Sequence, residues 1–170
     1  STISFDWILE YTNQDDIIID VGSGVSILVD NLLDEGYNNI ALLELSPTAI
    51  QTTKDRLKVQ SDKVRFYIEN ILDFETDTQF NLWHDRAVFH FLTDASERKI
   101  YIQKLNQYLK PKGFFVLATF APTGPTECSD LNIVQYDADK ILPLLGNNFT
   151  LIKTTSETHP HPNGSTQDFN

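Results

Sequence analysis

Two glycines that follow an apolar run are the residues of this sequence best suited to chemistry. Residues 17–19 are three isoleucines, which is typical of a short strand buried on both faces of a parallel sheet. Gly22 and Gly24 then allow the backbone to turn tightly and to approach a ligand closely. Apolar residues at 27, 28, 32 and 33 predict an amphipathic helix after the turn. A strand, a glycine turn and a helix N-terminus together predict a nucleotide-binding site.

Acidic residues at the ends of the first two predicted strands narrow the choice of ligand. Asp20 lies two residues before Gly22, where it would repel a phosphate but could orient an amine. Glu44 lies 20 residues after Gly24, where its paired oxygens can accept both hydroxyls of a ribose. Taken alone, Asp20 could stabilise a turn and Glu44 could be a solvated strand end. Together they indicate an adenosine-type ligand.

The turn differs from two common nucleotide-binding motifs. Ile27 stands where a dinucleotide motif needs a third glycine, which counts against a Rossmann-type oxidoreductase. A phosphate loop needs Gly-Lys-Ser or Gly-Lys-Thr after the turn, and neither follows here.

The elements that position these residues alternate along the chain, which favours an α/β fold with a mostly parallel sheet. The last two strands are expected to form an antiparallel hairpin. The sequence predicts helices over 3–11, 25–35, 46–59, 93–110 and 138–145, and strands over 17–21, 40–43, 64–68, 80–83, 114–119, 149–155 and 166–169.

Four stretches carry a family resemblance. They read Ile-Asp-Val-Gly-Ser-Gly at 19–24, Leu-Leu-Glu-Leu-Ser-Pro at 42–47, Leu-Trp-His-Asp-Arg-Ala-Val-Phe-His-Phe-Leu at 82–92, and Leu-Lys-Pro-Lys-Gly-Phe-Phe-Val-Leu-Ala-Thr-Phe at 109–120. In this order they resemble the motifs of class I S-adenosylmethionine-dependent methyltransferases. The resemblance implies a Rossmann-like, doubly wound sheet of about seven strands, mostly parallel, with an antiparallel C-terminal hairpin strand.

The same resemblance implies which residues bind S-adenosylmethionine. The methionine part would meet the glycine turn and Asp20, the ribose would meet Glu44, the adenine would meet Leu45 and the 70–71 segment, and the residues after strand four would lie beneath the sulfonium. The implied cofactor-binding residues are Asp20, Gly22, Ser23, Gly24, Ser26, Glu44, Leu45, Asn70, Ile71, Asp85 and Arg86. Many members of the family have Gly in place of Ser26 and Asp in place of Asn70.

Methyl transfer needs little acid–base help when the nucleophile is already deprotonated, so a base is not obligatory. Asp85 and His90 are the candidates for one, because the family often places substrate-facing groups in this segment. Alternatively, His90 could bond the backbone or pack between its phenylalanine neighbours, and Arg86 could pair with Asp85 or a nearby carboxylate. His84 is expected to be structural. His159 and His161 make a poor metal pair, so no metal site is expected.

Composition limits the class of protein. A chain of 170 residues with 41% hydrophobic residues suits one domain, expected to cover residues 1–170. A net charge of −11 without a basic run argues against nucleic acid, and no apolar run reaches the ~20 residues that span a bilayer. Cys128 is the only cysteine, so a cytoplasmic location is expected. Because the sequence has no Met and stops within a predicted strand, residues are expected to be missing at both termini.

The sequence therefore predicts a methyltransferase that uses S-adenosylmethionine and acts on a small molecule or a protein side chain, with lysine a credible acceptor. Two alternatives stay open, a cofactor-binding module without catalytic activity and a Rossmann-type oxidoreductase. The oligomeric state does not follow from the sequence.

Overall fold

The computed structural model describes residues 2–118, 127–128, 131–132, 138–155, 157–160 and 166–169. The central strands are β1 (Ile18–Val21), β2 (Ile40–Leu43), β3 (Val64–Tyr67), β4 (Phe80–Asp85) and β5 (Leu109–Leu117). They form a parallel sheet in the order β3-β2-β1-β4-β5. Because the chain leaves the neighbouring strands β1 and β4 toward opposite edges, their carboxyl ends mark the topological switch point of the sheet.

Helices connect and cover these strands. The described residues form α1 (Thr2–Tyr11), α2 (Leu28–Asp34), α3 (Pro47–Leu57), α4 (Val88–Phe91), α5 (Ala95–Tyr108) and α6 (Ala138–Leu145), with short 3-10 helices at Lys58–Lys63 and Ile71–Asp73.

Local sequence explains where α2 ends and α3 begins. Gly36 follows α2 with a φ of +91°, a conformation that favours glycine, and donates its N–H to the carbonyl of Leu33 at 3.0 Å. Ser46 caps α3 by accepting the N–H of Ala49 at 3.1 Å, and Pro47 occupies the first helical position. These signals place β2 between two helices and bring its carboxyl end to the switch point.

Both faces of the sheet are buried, as the apolar strand sequences predict. On one face Ile19 and Trp83 pack in a core cluster with Tyr101 of α5. On the other, Ile18 packs in a cluster with Leu32 of α2. Fully burying each such side chain stabilises the fold by about 1.5–3 kcal/mol. The packing on both faces therefore fixes the positions of the strand ends.

The sheet itself differs from the prediction. Over the described part of the chain it has five strands, all parallel, and not about seven with an antiparallel member. The last two strands, β8 (Glu157–Pro160) and β9 (Thr166–Phe169), pair with each other in a separate two-stranded sheet. A second small sheet pairs β6 (Glu127–Cys128) with β7 (Leu131–Asn132).

The predicted strand at 149–155 is irregular in the structure. Its apolar residues Leu151 and Ile152 are 48% and 62% exposed, so they do not form a buried strand face. Lys153 instead pairs with Glu10 of α1 at 2.6 Å and lies over the ring of Tyr11. The apolar run predicts a strand, but strand formation also depends on pairing with a neighbouring strand, which the sequence pattern does not specify.

Candidate functional site

Residues from three neighbouring strands meet at the switch point. The glycine turn leaves β1 and is tied to β2, because Gly22 and Ser23 donate their N–H groups to the carbonyl of Leu43 at 2.8 and 3.3 Å. Glu44 follows β2, and Asp85 ends β4. The structure therefore bonds the turn to Glu44, one of the two strand-end acids that the sequence singled out, and Asp85 ends the strand on the other side of β1.

The two glycines of the turn have different surroundings. Both have positive φ, +73° at Gly22 and +54° at Gly24. A Cβ atom on Gly22 would lie 2.3 Å from Cγ2 of Val88, whereas a Cβ atom on Gly24 would meet no heavy atom of the described residues within 4 Å. Gly22 is thus required by its packing against α4, and open space lies next to Gly24.

Glu44 is half-buried and holds the turn. Its Oε1 atom accepts the N–H of Gly24 at 2.8 Å, and its Oε2 atom accepts the N–H of Ser46 at 2.9 Å. A carboxylate has about four lone-pair positions. Each oxygen of Glu44 therefore keeps capacity for one further donor.

Two serines of the turn are placed differently. Ser26 accepts the N–H of Leu28 through its Oγ at 3.2 Å, next to the start of α2. The Oγ atom of Ser23 is buried and has no hydrogen-bond partner among the residues that the structure describes. A buried hydroxyl without a hydrogen-bond partner lowers stability by about 1–3 kcal/mol. A ligand that formed a hydrogen bond with Ser23 Oγ would remove this cost, which would favour its binding.

An apolar surface lies beyond the ends of β2 and β3. Leu45 is 64% exposed and Ile68 is 47% exposed. Asn70 is also exposed, but its Oδ1 atom accepts the N–H of Leu72 at 2.9 Å and so already has a structural partner. The side chain of Ile71 is 5% exposed and packs in the core.

Asp20 and His84 form a buried pair across β1 and β4. The Nδ1 atom of His84 lies 2.9 Å from Oδ1 of Asp20, and both side chains are less than 5% exposed. The other ring nitrogen of His84 has no hydrogen-bond partner within the described part of the chain. The expected structural role of His84 agrees with this placement, and one oxygen of Asp20 faces the imidazole.

Asp85 is fully buried, and its carboxylate is turned into the protein. Its Oδ1 atom accepts the N–H groups of Ala87 and Val88, both at 2.7 Å. Its Oδ2 atom accepts the N–H of Phe89 at 3.0 Å and the hydroxyl of Tyr101. Burial raises the pKa of Asp85 and, with the adjacent carboxylate, raises that of Tyr101 well above its usual value. Its acceptor positions already serve three N–H groups at the start of α4 and the hydroxyl of Tyr101 on α5. These contacts do not support a role of Asp85 as a base, which stays a prediction.

The other residues after β4 are placed as follows. Arg86 is exposed and forms no salt bridge with Asp85, contrary to one expectation. His90 is buried, lies edge-on to the ring of Phe91 at 5.9 Å, and has its pKa lowered by burial. Ala87, at the start of α4, has a strained φ of 154°.

Sequence analysis missed two structurally important residues. Tyr101 is fully buried, whereas the neighbouring apolar residue Ile100 is 38% exposed. Buried residues at 101, 105 and 108 have helical spacing, and that pattern could have identified Tyr101. Arg56 donates to the carbonyls of Val25 and Ser26 in the glycine turn. No pattern in the sequence indicates this, because these partners precede Arg56 by 31 and 30 residues.

Some predicted residues cannot be compared with the structure. His161 lies outside the described residues, and only the backbone of Cys128 and His159 is described. Among the described residues, no group of His, Cys, Asp and Glu could hold a metal ion, and no helix is both long and apolar enough to cross a membrane. A groove of about 600 Å³ lies along α5 from Ala95 to Gln107, and none of its lining residues belongs to the predicted site.

Fold and turn together are those of an S-adenosylmethionine-dependent methyltransferase of class I. The family described as "Methyltransferase domain" matches residues 12–159, and the chain belongs to it. This confirms the resemblance drawn from the four motifs.

Solved structures and known proteins agree with this family. A 1,6-didemethyltoxoflavin-N1-methyltransferase from Burkholderia thailandensis, solved with S-adenosylhomocysteine, has a TM-score of 0.76 at 17% identity over 98% of this chain and 74% of its own. A methyltransferase from Methanosarcina mazei has a TM-score of 0.76 at 18% identity over 96% of this chain and 93% of its own. The human EEF1A lysine methyltransferase 2 is 26% identical over 109 residues, which are 60% of this chain and 46% of that protein. The chain thus matches about half the length of this relative.

Proposed function

We propose that this chain is a single methyltransferase domain that binds S-adenosylmethionine and transfers its methyl group to an acceptor. The observation that carries the proposal is the glycine turn bonded to the Glu44 carboxylate at the switch point. Open space beside Gly24, remaining acceptor capacity on Glu44 and a buried Ser23 hydroxyl without a described partner all fit a polar cofactor there.

Each residue of the site has a proposed task. Glu44 would accept the ribose hydroxyls, and exposed Leu45 would cover the adenine. Gly22, Ser23, Gly24 and Ser26 would surround the methionine part, with Asp20 near its amino group. Asn70 and Ile71 would border the adenine, Ile71 through its backbone because its side chain is in the core. Arg86 would lie beneath the sulfonium.

S-adenosylmethionine, when bound, supplies a methyl group on a positively charged sulfur. The contribution of the chain is to orient this group toward the acceptor, which can supply up to ~7–11 kcal/mol in well-oriented systems. Of the two predicted bases we propose only His90, since burial lowers its pKa and keeps the imidazole neutral and able to take a proton. Asp85 is not proposed as a base.

The acceptor class has two candidates. The human relative is named as a lysine methyltransferase, which supports a protein lysine. The Burkholderia neighbour acts on a small molecule, which supports that alternative. The acidic composition and the single cysteine support a cytoplasmic protein that does not bind nucleic acid.

Isothermal titration with S-adenosylmethionine, S-adenosylhomocysteine and NAD tests the cofactor. Binding of the first two without NAD is expected, and the reverse would support an oxidoreductase. Labelled methyl transfer to lysine-containing proteins and to small amines then tests the activity. Cofactor binding without transfer to any acceptor would favour a module without catalytic activity.

A further inference from the structure

Arg56 in the last turn of α3 contacts the residues that follow the two glycines. Its Nε and Nη2 atoms donate to the two carboxylate oxygens of Asp30 on α2 at 2.9 and 2.8 Å. Its Nη1 atom donates to the carbonyl of Val25 at 3.1 Å, and its Nη2 atom donates to the carbonyl of Ser26 at 3.0 Å. One planar guanidinium thus joins the turn, α2 and α3.

Further contacts that hold the turn come from the same part of the chain as Arg56. The carbonyl of Leu43 accepts from Gly22 and Ser23, and the carboxylate of Glu44 accepts from Gly24. Every residue from 22 to 26 is therefore bonded through a backbone atom to the segment 43–56, which we call the β2–α3 segment.

We propose that Arg56 is a positioning residue for the cofactor-binding turn, an inference that rests on the proposed function. Within the turn, Ser26 donates its N–H to the carbonyl of Ser23 at 3.0 Å, while the carbonyls of Val25 and Ser26 accept from Arg56. Ordering the turn only on binding would reduce affinity. Arg56 orders it beforehand. The side chains of Arg56 and Asp30 are 30% and 28% exposed, so their ion pair alone contributes little. The two carbonyl contacts carry the effect.

Titration of purified variants with S-adenosylmethionine separates the carbonyl contacts from the ion pair. Arg56→Ala removes the carbonyl contacts and the ion pair and should raise the Kd about tenfold. Asp30→Asn leaves both carbonyl contacts and should raise it less than about threefold. Arg65→Ala is the matched control, because Arg65 on β3 is exposed and bonds Thr78. Its Kd should equal that of the unmodified protein.

Two results would overturn the proposal: a Kd for Arg56→Ala within twofold of the unmodified protein, or an equal loss in Asp30→Asn. The second result would mean that Arg56 only ties α2 to α3. If Arg56→Ala does not fold, Arg56→Lys replaces it, because a lysine keeps the charge but cannot reach both carbonyls as a fork. A several-fold higher Kd is expected there too, and an unchanged one would count against the proposal.

Amide exchange in the ligand-free protein provides a readout that does not depend on the cofactor. The N–H of Gly24, measured by NMR, should exchange faster in Arg56→Ala than in the unmodified protein or Arg65→Ala. Equal exchange would overturn the role of Arg56 even if S-adenosylmethionine binds. If the unmodified protein binds no S-adenosylmethionine, the proposed function fails, and the exchange rates still decide whether Arg56 orders the turn.

Discussion

The glycine turn and the segment after β4 follow neighbouring strands at the switch point, but their acidic side chains differ in how many hydrogen bonds they already accept. At the turn, Gly24 borders open space and each oxygen of Glu44 accepts one N–H. After β4, Asp85 is fully buried and accepts four hydrogen bonds from the chain itself.

The comparison shows that the role of a strand-end acid depends on what already fills its lone pairs. A half-buried carboxylate with two donors can still bind a ligand. A buried carboxylate with four donors is part of the fold, and its loss leaves those donors unsatisfied. Glu44 and Asp85 are therefore expected to respond differently to the same kind of substitution.

The largest expected effect is on stability, at Asp85. In Asp85→Asn an NH2 group replaces one carboxylate oxygen and faces the donors that this oxygen accepts in the unmodified protein. The substitution should therefore lower the free energy of unfolding by about 3–4 kcal/mol. Denaturant unfolding measures it. The control is Asp94→Asn, since Asp94 also caps a helix but is exposed, and its effect should be much smaller. Unchanged stability with lost methyl transfer would restore Asp85 as a candidate base.

The next effect separates the two glycines. Gly22→Ala should lower the free energy of unfolding by about 2–4 kcal/mol, because its methyl group meets Val88 and its φ is positive. Gly24→Ala should lower the free energy of unfolding by only about 1–2 kcal/mol, the cost of a positive φ at alanine. Its methyl group enters the proposed cofactor space, so S-adenosylmethionine binding should weaken. Adding Val88→Ala to Gly22→Ala should recover part of the stability. No recovery would show that the contact with Val88 is not the cause.

At Glu44 the expected loss is in affinity. Glu44→Ala should weaken S-adenosylmethionine binding by about 3 kcal/mol or less, since hydrogen bonds to a charged group contribute ~1.5–3 kcal/mol each. Because Glu44 also holds Gly24 and Ser46, a modest fall in Tm should accompany the loss. Titration calorimetry and thermal unfolding give the two values. An unchanged Kd would exclude Glu44 from the cofactor site.

The smallest effect is a pH dependence due to His90. Burial lowers the pKa of His90 below its ordinary 6.5, so the unfolded state binds the proton more readily. The stability contribution of the neutral imidazole is present above pH 6.5 and is lost as the pH falls through the folded-state pKa. His90→Phe should reduce the fall in Tm between pH 7 and pH 5, while both proteins respond alike above pH 8. Parallel curves over the whole range would contradict this.

Much of the fold followed from the sequence where the signals were contiguous. The bounds of β2 and α6 agree with the prediction, and Ser46, Pro47 and Gly36 mark helix ends as expected. The five-stranded sheet did not follow, because the exposed Leu151 and Ile152 lie in an irregular segment that the apolar pattern assigns to a strand.

By itself, the sequence determined the strand, the glycine turn and the helix after it, because each is specified by residues adjacent in the chain. The placement of Glu44 beside the turn also followed, since carboxyl ends of parallel strands meet at one edge. Only the tertiary structure decided that Asp85 faces Tyr101 and that Arg56 binds the turn. Those roles depend on which donors and acceptors distant segments bring to each side chain, and no local pattern encodes that.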